Sequence, residues 1–290
     1  MKNVIVLTGA SGFIGKHLVK ELINYGFNII AITRPEKMDT VTNTEHLKWT
    51  TLDEFELIVS YCHVKACIHL ATDYGRGNNP TIEQYGCNVL LPLKLLEWSK
   101  KHSVKKFIST DSFFGKYECS YTYMKQYMIT KRHFREIACE EIKGTEISFV
   151  NMRLEHVYGE GDSTGKFIPT LLGKMKLQEN ILCTNGLQKR DFIYINDVID
   201  AYLKVLNYDL SSGYTEFQVG TGRSYPLRVF IEYLRDESQS QSKIEFGAIP
   251  LREDEILESK ADNSGLRKIG WKPNFNIRDG IKKMLSFTNE

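Results

Sequence analysis

Two tyrosine and lysine pairs in the middle of the chain could carry out proton transfer. Tyr121 and Lys125 form one pair, and Tyr127 and Lys131 form the other, each four residues apart. This spacing puts both side chains on one face of a helix, where an ammonium can lower the pKa of a phenol from its usual value of about 10. The six-residue offset rotates one pair by roughly 240° from the other, so only one pair can face a substrate.

The second pair lies where a long helix must begin, whereas Tyr121 lies in an entry segment rich in Tyr, Ser and Cys. We therefore predict that Tyr127 transfers the proton and that Lys131 is the ammonium beside it. A neighbouring hydroxyl would hold the substrate oxygen, and the end of the preceding strand supplies Thr110, with Ser112 as a reserve.

A glycine-rich loop near the start of the chain predicts the dinucleotide site. In the run TGASGFIG, Gly9 permits a tight turn, Gly12 lets a pyrophosphate approach the backbone, and Gly15 lets a helix pack on a strand. The spacing is GxxGxxG and not GxGxxG, and glycine-rich turns also occur without a ligand. Its position between a first strand and a first helix favours a dinucleotide. The other loop residues expected to line it are Ser11, Phe13 and Ile14.

The end of the second predicted strand indicates which dinucleotide binds. An acidic residue there would hold a ribose 2′-hydroxyl, but this strand ends Ile32-Thr33-Arg34. Arg34, together with Lys37, could pair with the 2′-phosphate of NADP(H). The alternative is a solvated arginine at a strand end. We expect Thr33 and Arg34 to contact the cofactor and NADP(H) to be preferred over NAD(H).

Apolar runs alternate with helical patterns, which predicts an α/β fold with a Rossmann-type, doubly wound parallel sheet. We expect residues 1–152 to form the dinucleotide-binding domain, with the chain returning to the sheet near 187–222. Residues 153–186 and 223–290 are expected to form a smaller C-terminal, substrate-binding lobe. The predicted strands are 3–8, 28–33, 66–70, 105–110, 146–152 and 215–219, and the predicted helices are 13–25, 81–101 and 126–142.

The composition excludes several other classes of protein. A formal net charge of +2, with acidic and basic residues interspersed, gives no footprint for nucleic acid or an anionic membrane. No stretch approaches the roughly 20 apolar residues of a membrane span. The six cysteines lack CxxC spacing, which favours a reduced compartment over disulfides or a metal site. We expect a cytoplasmic protein.

The motifs together resemble the extended short-chain dehydrogenase/reductase superfamily, in particular its NAD(P)-dependent nucleotide-sugar epimerases, dehydratases and reductases. The resemblance runs through nearly the whole chain. The segments that carry it are TGASGFIG, Cys67–Ala71, Asn88, Ile108–Asp111, Tyr127–Lys131, Arg153–Gly159, Gln188–Ile193, Val219–Gly222 and Leu266–Pro273.

The resemblance implies further binding residues. Asn88 would support the catalytic lysine. The residues expected to contact the cofactor here are Leu70, Ala71, Thr72, Asn88, Tyr127 and Lys131. In the substrate-binding lobe, Arg190 and Arg252 would bind a nucleotide diphosphate, for which planar guanidinium groups are suited. The other residues expected at the substrate are Ser112, His156 and Lys166, although Lys166 could equally be a surface charge.

Departures from the family pattern indicate the reaction. Thr110-Asp111-Ser112 resembles the Thr-Asp-Glu of 4,6-dehydratases, but Ser112 cannot replace the carboxylate that acts there as the base. Glu155 and His156 are also unusual. The remaining pattern is most similar to the CDP-paratose and CDP-abequose synthases, which reduce the 4-keto group of a CDP-3,6-dideoxyhexose. We therefore expect an NADPH-dependent 4-ketoreductase.

Two other functions remain open, namely an NAD-dependent 4-epimerase and a non-catalytic regulator that senses a dinucleotide. The resemblance also implies a homodimer that pairs helices 81–101 and 126–142, the first of which Pro92 should kink.

Overall fold

The protein is described here from a computed structural model that covers residues 3–60, 62–75, 80–116 and 122–287. The chain divides into two compact units. The first comprises Met1–Gly115, Tyr123–Arg153 and Tyr202–Phe217. The second comprises Lys116–Thr122, Leu154–Ala201 and Gln218–Glu290.

The first unit is built on a seven-stranded sheet. Its strands are β1 (Val4–Thr8), β2 (Asn28–Ile32), β3 (Leu47–Thr50), β4 (Val64–His69), β5 (Lys106–Ser112), β6 (Ser148–Leu154) and, later in the chain, β11 (Gly213–Val219). The strand order is β11-β6-β5-β4-β1-β2-β3. Pairs β1/β2, β1/β4, β2/β3 and β4/β5 are parallel. Because β1 lies between β2 and β4, the strand order reverses there, and such sheets bind ligands at that point, beyond the carboxyl ends of the strands.

Helices follow the strands of this sheet. They are α1 (Phe13–Asn24), α2 (Phe55–Val59), α3 (Thr81–Tyr85), α4 (Leu91–Lys101) and α5 (Lys125–Glu141). Strand β1 is buried at every residue, as expected for a parallel strand covered on both faces. Phe107, Phe134 and Phe149 form the aromatic centre of a core between the sheet and its helices. No helix among the described residues is long and apolar enough to cross a membrane.

The sheet confirms the predicted fold class, and most predicted elements lie within two or three residues of their observed bounds. Strand β3 was not predicted. The predicted helix 81–101 is interrupted by a π-helical turn at Gly86–Leu90. Pro92 lies in the first turn of α4, immediately after this π-helical turn, which accommodates its missing backbone N–H and its ring.

The second unit contains three short strand pairs and several helices. Its strands are β7 (His156–Tyr158), β8 (Ile181–Cys183), β9 (Lys189–Arg190), β10 (Phe192–Tyr194), β12 (Tyr225–Pro226) and β13 (Ile244–Phe246). Its helices are α6 (Phe167–Lys176), α8 (Leu227–Glu237), α9 (Ser264–Lys268) and α10 (Ile277–Ser286), while α7 (Ile195–Asn207) begins here and ends in the first unit. Of the segment 187–222 that was expected to return to the large sheet, only β11 joins it. The predicted division at residue 152 stays a prediction.

Candidate active site

The loop after β1 requires glycine at two positions, Gly9 and Gly15. Gly9 has a φ of +74°, and a Cβ there would lie 2.6 Å from the backbone nitrogen of Ala71. A Cβ at Gly15 would lie 2.1 Å from the carbonyl oxygen of Gly9. The loop therefore packs tightly against both the start of α1 and the chain after β4.

This packing leaves the N-terminus of α1 without a side-chain cap. Gly12 is the N-cap residue, with extended backbone, and no side chain accepts a hydrogen bond from the first turn. Uncapped N–H groups at a helix N-terminus form an anion site, so the loop fits the pyrophosphate of a dinucleotide. Ser11 is exposed in this turn, and Phe13 and Ile14 are half-buried in the first turn of α1.

Leu70 and Ala71 lie beside the glycine loop, followed in the chain by Thr72, and the cofactor contact of all three stays a prediction. The backbone nitrogen of Ala71 donates to the hydroxyl of Thr8 at 3.2 Å, and the same hydroxyl lies 2.8 Å from Nδ1 of His69. Burial, and then the nearby charge of Lys131, lowers the pKa of His69 well below its usual value. A neutral, buried imidazole thus helps to fix the ends of β1 and β4 together.

Arg34 lies at the exposed end of β2. Its Nε is 3.2 Å from the carboxylate of Glu36, and both side chains are about two-thirds exposed. An ion pair this exposed contributes little, so a phosphate can replace it. Thr33 is half-buried and donates its backbone N–H to the carbonyl of Thr50.

Tyr127 and Lys131 are both buried, at 4% and 5% exposed, on the first turns of α5. The hydroxyls of Ser112 and Thr72 lie near the phenol of Tyr127 and lower its pKa. Nζ of Lys131 donates to the backbone carbonyl of Thr110 at 3.0 Å. Helix α5 begins at Lys125, the lysine of the first pair, and Tyr121 lies outside the described residues.

The hydroxyl next to Tyr127 differs from the one that was expected first. The Thr110 hydroxyl pairs with the phenol of Tyr202 at 2.6 Å, whereas the reserve residue, Ser112, reaches Tyr127. Thr110 and Ser112 are two residues apart and share one face of β5. Tyr202, from later in the chain, pairs with the Thr110 hydroxyl, while the backbone carbonyl of Thr110 accepts from Lys131. Substrate contact by Thr110 stays a prediction.

The pKa values at this site also differ from the expected direction. Burial raises the pKa of Tyr127 well above 10, and Tyr74 and Asp111 raise it further, while the hydrogen bonds from Ser112 and Thr72 lower it. Burial lowers the pKa of Lys131, against the effect of Asp111. Desolvation outweighs the expected effect of the ammonium on the phenol. Tyr127 therefore keeps its proton at neutral pH, as a proton donor must.

Asn88 supports the lysine indirectly. It is fully buried in the π-helical turn, and its amide nitrogen donates to the carbonyl of Asp73 and to the hydroxyl of Thr130, which precedes Lys131. Its oxygen accepts from the backbone nitrogen of Asp73 and from the hydroxyl of Thr72. The cofactor contact predicted for Asn88 does not fit this burial, since its polar atoms are occupied by the chain itself.

In the second unit, a carboxylate that was not predicted joins the two predicted arginines. Arg190 donates to Oε1 of Glu255 at 2.5 Å and to the carbonyl of Lys189 at 2.8 Å. The Arg252 guanidinium lies 4.0 Å from Oε2 of Glu255. Lys166 pairs with Asp162 at 2.7 Å, with side chains that are 30% and 7% exposed, and its contact with the substrate stays a prediction. Only proximity in the fold identifies Glu255, because its spacing from Arg190 carries no signal.

The two unusual residues are both buried in this unit. Glu155 forms an ion pair with Lys116, and its other oxygen accepts from the hydroxyl of Ser259 at 2.6 Å. Burial, and then the charge of Arg190, lowers the pKa of His156 to about 3. His156 is therefore neutral, and its ring packs against Phe192 at 5.7 Å between ring centroids.

Comparisons with known proteins agree with this architecture. The NAD dependent epimerase/dehydratase family matches residues 5–220. The chain is 49% identical to a CDP-abequose synthase of Salmonella muenchen, with 97% of each chain covered, and 43% identical to that of Salmonella typhimurium, with 98% of each covered. The UDP-glucose 4-epimerase of Thermotoga maritima shares its fold, with a TM-score of 0.84 over 99% of this chain and 98% of that one, at 21% identity.

Proposed function

Because the chain belongs to the NAD dependent epimerase/dehydratase family, we propose that it reduces the C4 keto group of a CDP-4-keto-3,6-dideoxyhexose with NADPH. Such a product is a building block of the O-antigen of a bacterial surface polysaccharide. The observation that carries the proposal is the 49% and 43% identity to two CDP-abequose synthases over nearly the full chain.

The glycine loop and the uncapped N-terminus of α1 fit a dinucleotide, and Arg34 would bind the 2′-phosphate of NADP(H). When bound, the cofactor supplies the hydride that adds to C4 of the sugar. The charge of Arg34 and the absence of a carboxylate at the last residues of β2 support NADP(H) over NAD(H).

Tyr127 then supplies the proton. As C4 accepts the hydride, the carbonyl oxygen develops negative charge, and the phenol donates its proton to that oxygen. Burial keeps the phenol protonated beforehand. The hydroxyls of Ser112 and Thr72 hold the phenol in place, and Lys131 supports the charge that remains on it after the transfer.

Arg190 and Arg252 are proposed to bind the diphosphate of the CDP-sugar. The guanidinium of Arg190 is buried and already oriented by Glu255 and by the Lys189 carbonyl. Guanidinium groups that are fixed in advance lose less entropy when they bind a phosphate. Lys166 would add charge only if it left Asp162.

We also propose that the protein is a homodimer that pairs the helical segment 81–101 and α5 with their copies. Ile82, Leu90 and Ile137 are exposed on α3, the π-helical turn and α5. A dimer mass by light scattering at micromolar concentration is expected, and Ile137→Glu should reduce it to a monomer. A monomeric mass for the parent protein would refute the dimer.

The function is tested by a panel of CDP-, dTDP-, GDP- and UDP-linked 4-keto-6-deoxy sugars. Each is mixed with NADPH or NADH, and both thermal shift and dinucleotide oxidation are measured. We expect the fastest oxidation with the CDP-sugar and NADPH. Oxidation with none of the sugars, together with tight binding of NADPH, would indicate a dinucleotide-sensing protein instead.

A further inference from the structure

Asp111 is a buried carboxylate that lies beside the proposed catalytic residues and is not used by the mechanism above. It is 5% exposed, near the end of β5. One of its oxygens accepts from the backbone nitrogen of Ser112 at 2.7 Å. The other accepts from Arg135 at 2.9 Å and from the amide of Asn151 at 3.1 Å. Both oxygens are therefore occupied by partners from three different elements.

A second carboxylate completes this cluster. Arg153 lies 3.7 Å from Asp111 and donates to Glu216 at 2.8 Å. Glu216 also accepts from Asn151 at 3.0 Å and from the phenol of Tyr214 at 2.8 Å. The cluster thus balances two acidic residues against two arginines and joins β5, β6, β11 and α5.

The contacts between β5 and α5 form a regular set. Tyr127, Lys131 and Arg135 are spaced four residues apart, so they share one face of α5. Each of them holds one of three consecutive β5 residues. The phenol of Tyr127 lies near the Ser112 hydroxyl, Lys131 donates to the Thr110 carbonyl and Arg135 donates to the Asp111 carboxylate.

We propose that Asp111 and Arg135 are positioning residues for the reaction, whose ion pair fixes the register in which Tyr127 and Lys131 meet β5. This inference rests on the proposed function, in which Tyr127 and Lys131 do the chemistry. Neither Asp111 nor Arg135 itself touches the substrate.

The physical basis is the cost of a buried, unpaired charge. Removing one partner of such a pair leaves the other uncompensated, so the pair resists separation. The side chain of Arg135 is only 18% exposed and cannot find an equivalent partner in water without moving. Helix α5 is thereby held against the end of β5 one turn beyond Lys131. A displacement of about 1 Å at a catalytic group can cost about 10²-fold in rate.

The test compares Arg135→Met with Arg132→Met in the full-length enzyme. Arg132 is on the same helix and is similarly half-buried, but it pairs with the exposed Glu136 at 3.8 Å. We expect Arg135→Met to lower kcat by about 10²-fold with unchanged KM for both substrates. Arg132→Met should keep the parent kcat. Equal kcat in the two variants would overturn the proposal.

The pH profile separates positioning from general damage. The groups that face Tyr127 are Tyr74 and Thr72 from the loop after β4, and Asp111 and Ser112 from β5. A proton donor loses activity as pH rises through its pKa. Asp111→Asn removes a negative charge that raises this pKa. The basic limb of the pH–kcat profile, where activity falls as pH rises, should therefore move to lower pH. Arg135→Met removes the closer of the two arginines that offset the charge of Asp111, so the limb should move to higher pH. Limbs that do not move, or that move together, would contradict the proposal.

Two further measurements cover the remaining outcomes. If Arg135→Met does not fold, Arg135→Lys takes its place, because it keeps the positive charge. Its activity should fall at the same basic pH as in the parent, with a smaller loss of kcat. A shift of that pH in Arg135→Lys would count against the proposal. A parent enzyme inactive on every 4-keto sugar nucleotide would count against the proposed function alone. In that case amide exchange in Lys125–Glu141 decides, because it should be faster in Arg135→Met than in Arg132→Met, and equal rates would refute positioning.

Discussion

Replacing Gly15 by alanine should damage both stability and cofactor binding. The added Cβ would lie 2.1 Å from the Gly9 carbonyl oxygen and 2.8 Å from the Cα of Ala10, which are both backbone atoms. Ordinary contact between non-bonded heavy atoms is about 3.5 Å, so the start of α1 must move by roughly 1 Å or more. Overpacking of this kind costs about 1–3 kcal/mol in the free energy of unfolding.

The same movement withdraws the N-terminal amides of α1 from the pyrophosphate. Losing one hydrogen bond to a charged group costs about 1.5–3 kcal/mol, so NADP(H) affinity should fall about tenfold to a hundredfold. Urea unfolding and calorimetric titration with NADP(H) measure the two effects.

Gly173→Ala is the matched control for this change. Gly173 is an exposed glycine within α6, and a Cβ there would meet nothing within 4 Å. Alanine should stabilise this helix by about 0.5–1 kcal/mol and leave dinucleotide binding unchanged. If Gly15→Ala binds NADP(H) like the parent and unfolds at the same urea concentration, the account of the glycine loop is wrong.

Three further changes test the cofactor preference, the proton donor and the diphosphate site. Arg34→Asp should weaken NADPH binding about tenfold to a hundredfold while leaving NADH nearly unchanged, measured by titration, and equal losses would sink the assignment. Tyr127→Phe should still bind NADPH but reduce the rate of hydride transfer by about 10²–10⁴-fold in single-turnover assays, whereas Tyr121→Phe should stay active. The reverse result would assign the site to Tyr121. Glu255→Ala should raise the KM for the CDP-sugar more than it lowers kcat, because Arg190 loses the carboxylate that orients it, and an unchanged KM would speak against that role.

The parts of the fold that depend on local pattern could be predicted from sequence. The helix at Phe13–Asn24 follows from its apolar spacing and from Gly26, and β1 follows from its apolar run. Strand β3, in contrast, has four residues with mixed burial, Leu47–Thr50, which is too short for a period to be recognised. It forms because β2 offers an open edge with which it pairs.

The candidate site divides in the same way. Tyr127 and Lys131 could be identified because both lie on one helix at a spacing with chemical meaning. The partner of the Thr110 hydroxyl, Tyr202, lies 92 residues away in the sequence, and the contact between Arg190 and Glu255 joins residues 65 apart. The pKa of Tyr127 was predicted in the wrong direction, because the sequence shows the neighbouring charge but not the burial that outweighs it.

The central claim is a net reduction at C4, and following one hydrogen atom tests it most directly. The enzyme would be supplied with a CDP-4-keto-3,6-dideoxyhexose and NADPH that carries deuterium at its transferable position, and the sugar product would be examined by NMR. We expect one NADPH to be oxidised for each sugar that is reduced, and we expect the product to carry deuterium at C4. Interconversion of C4 stereoisomers without net oxidation of NADPH, or a product without deuterium at C4, would contradict it.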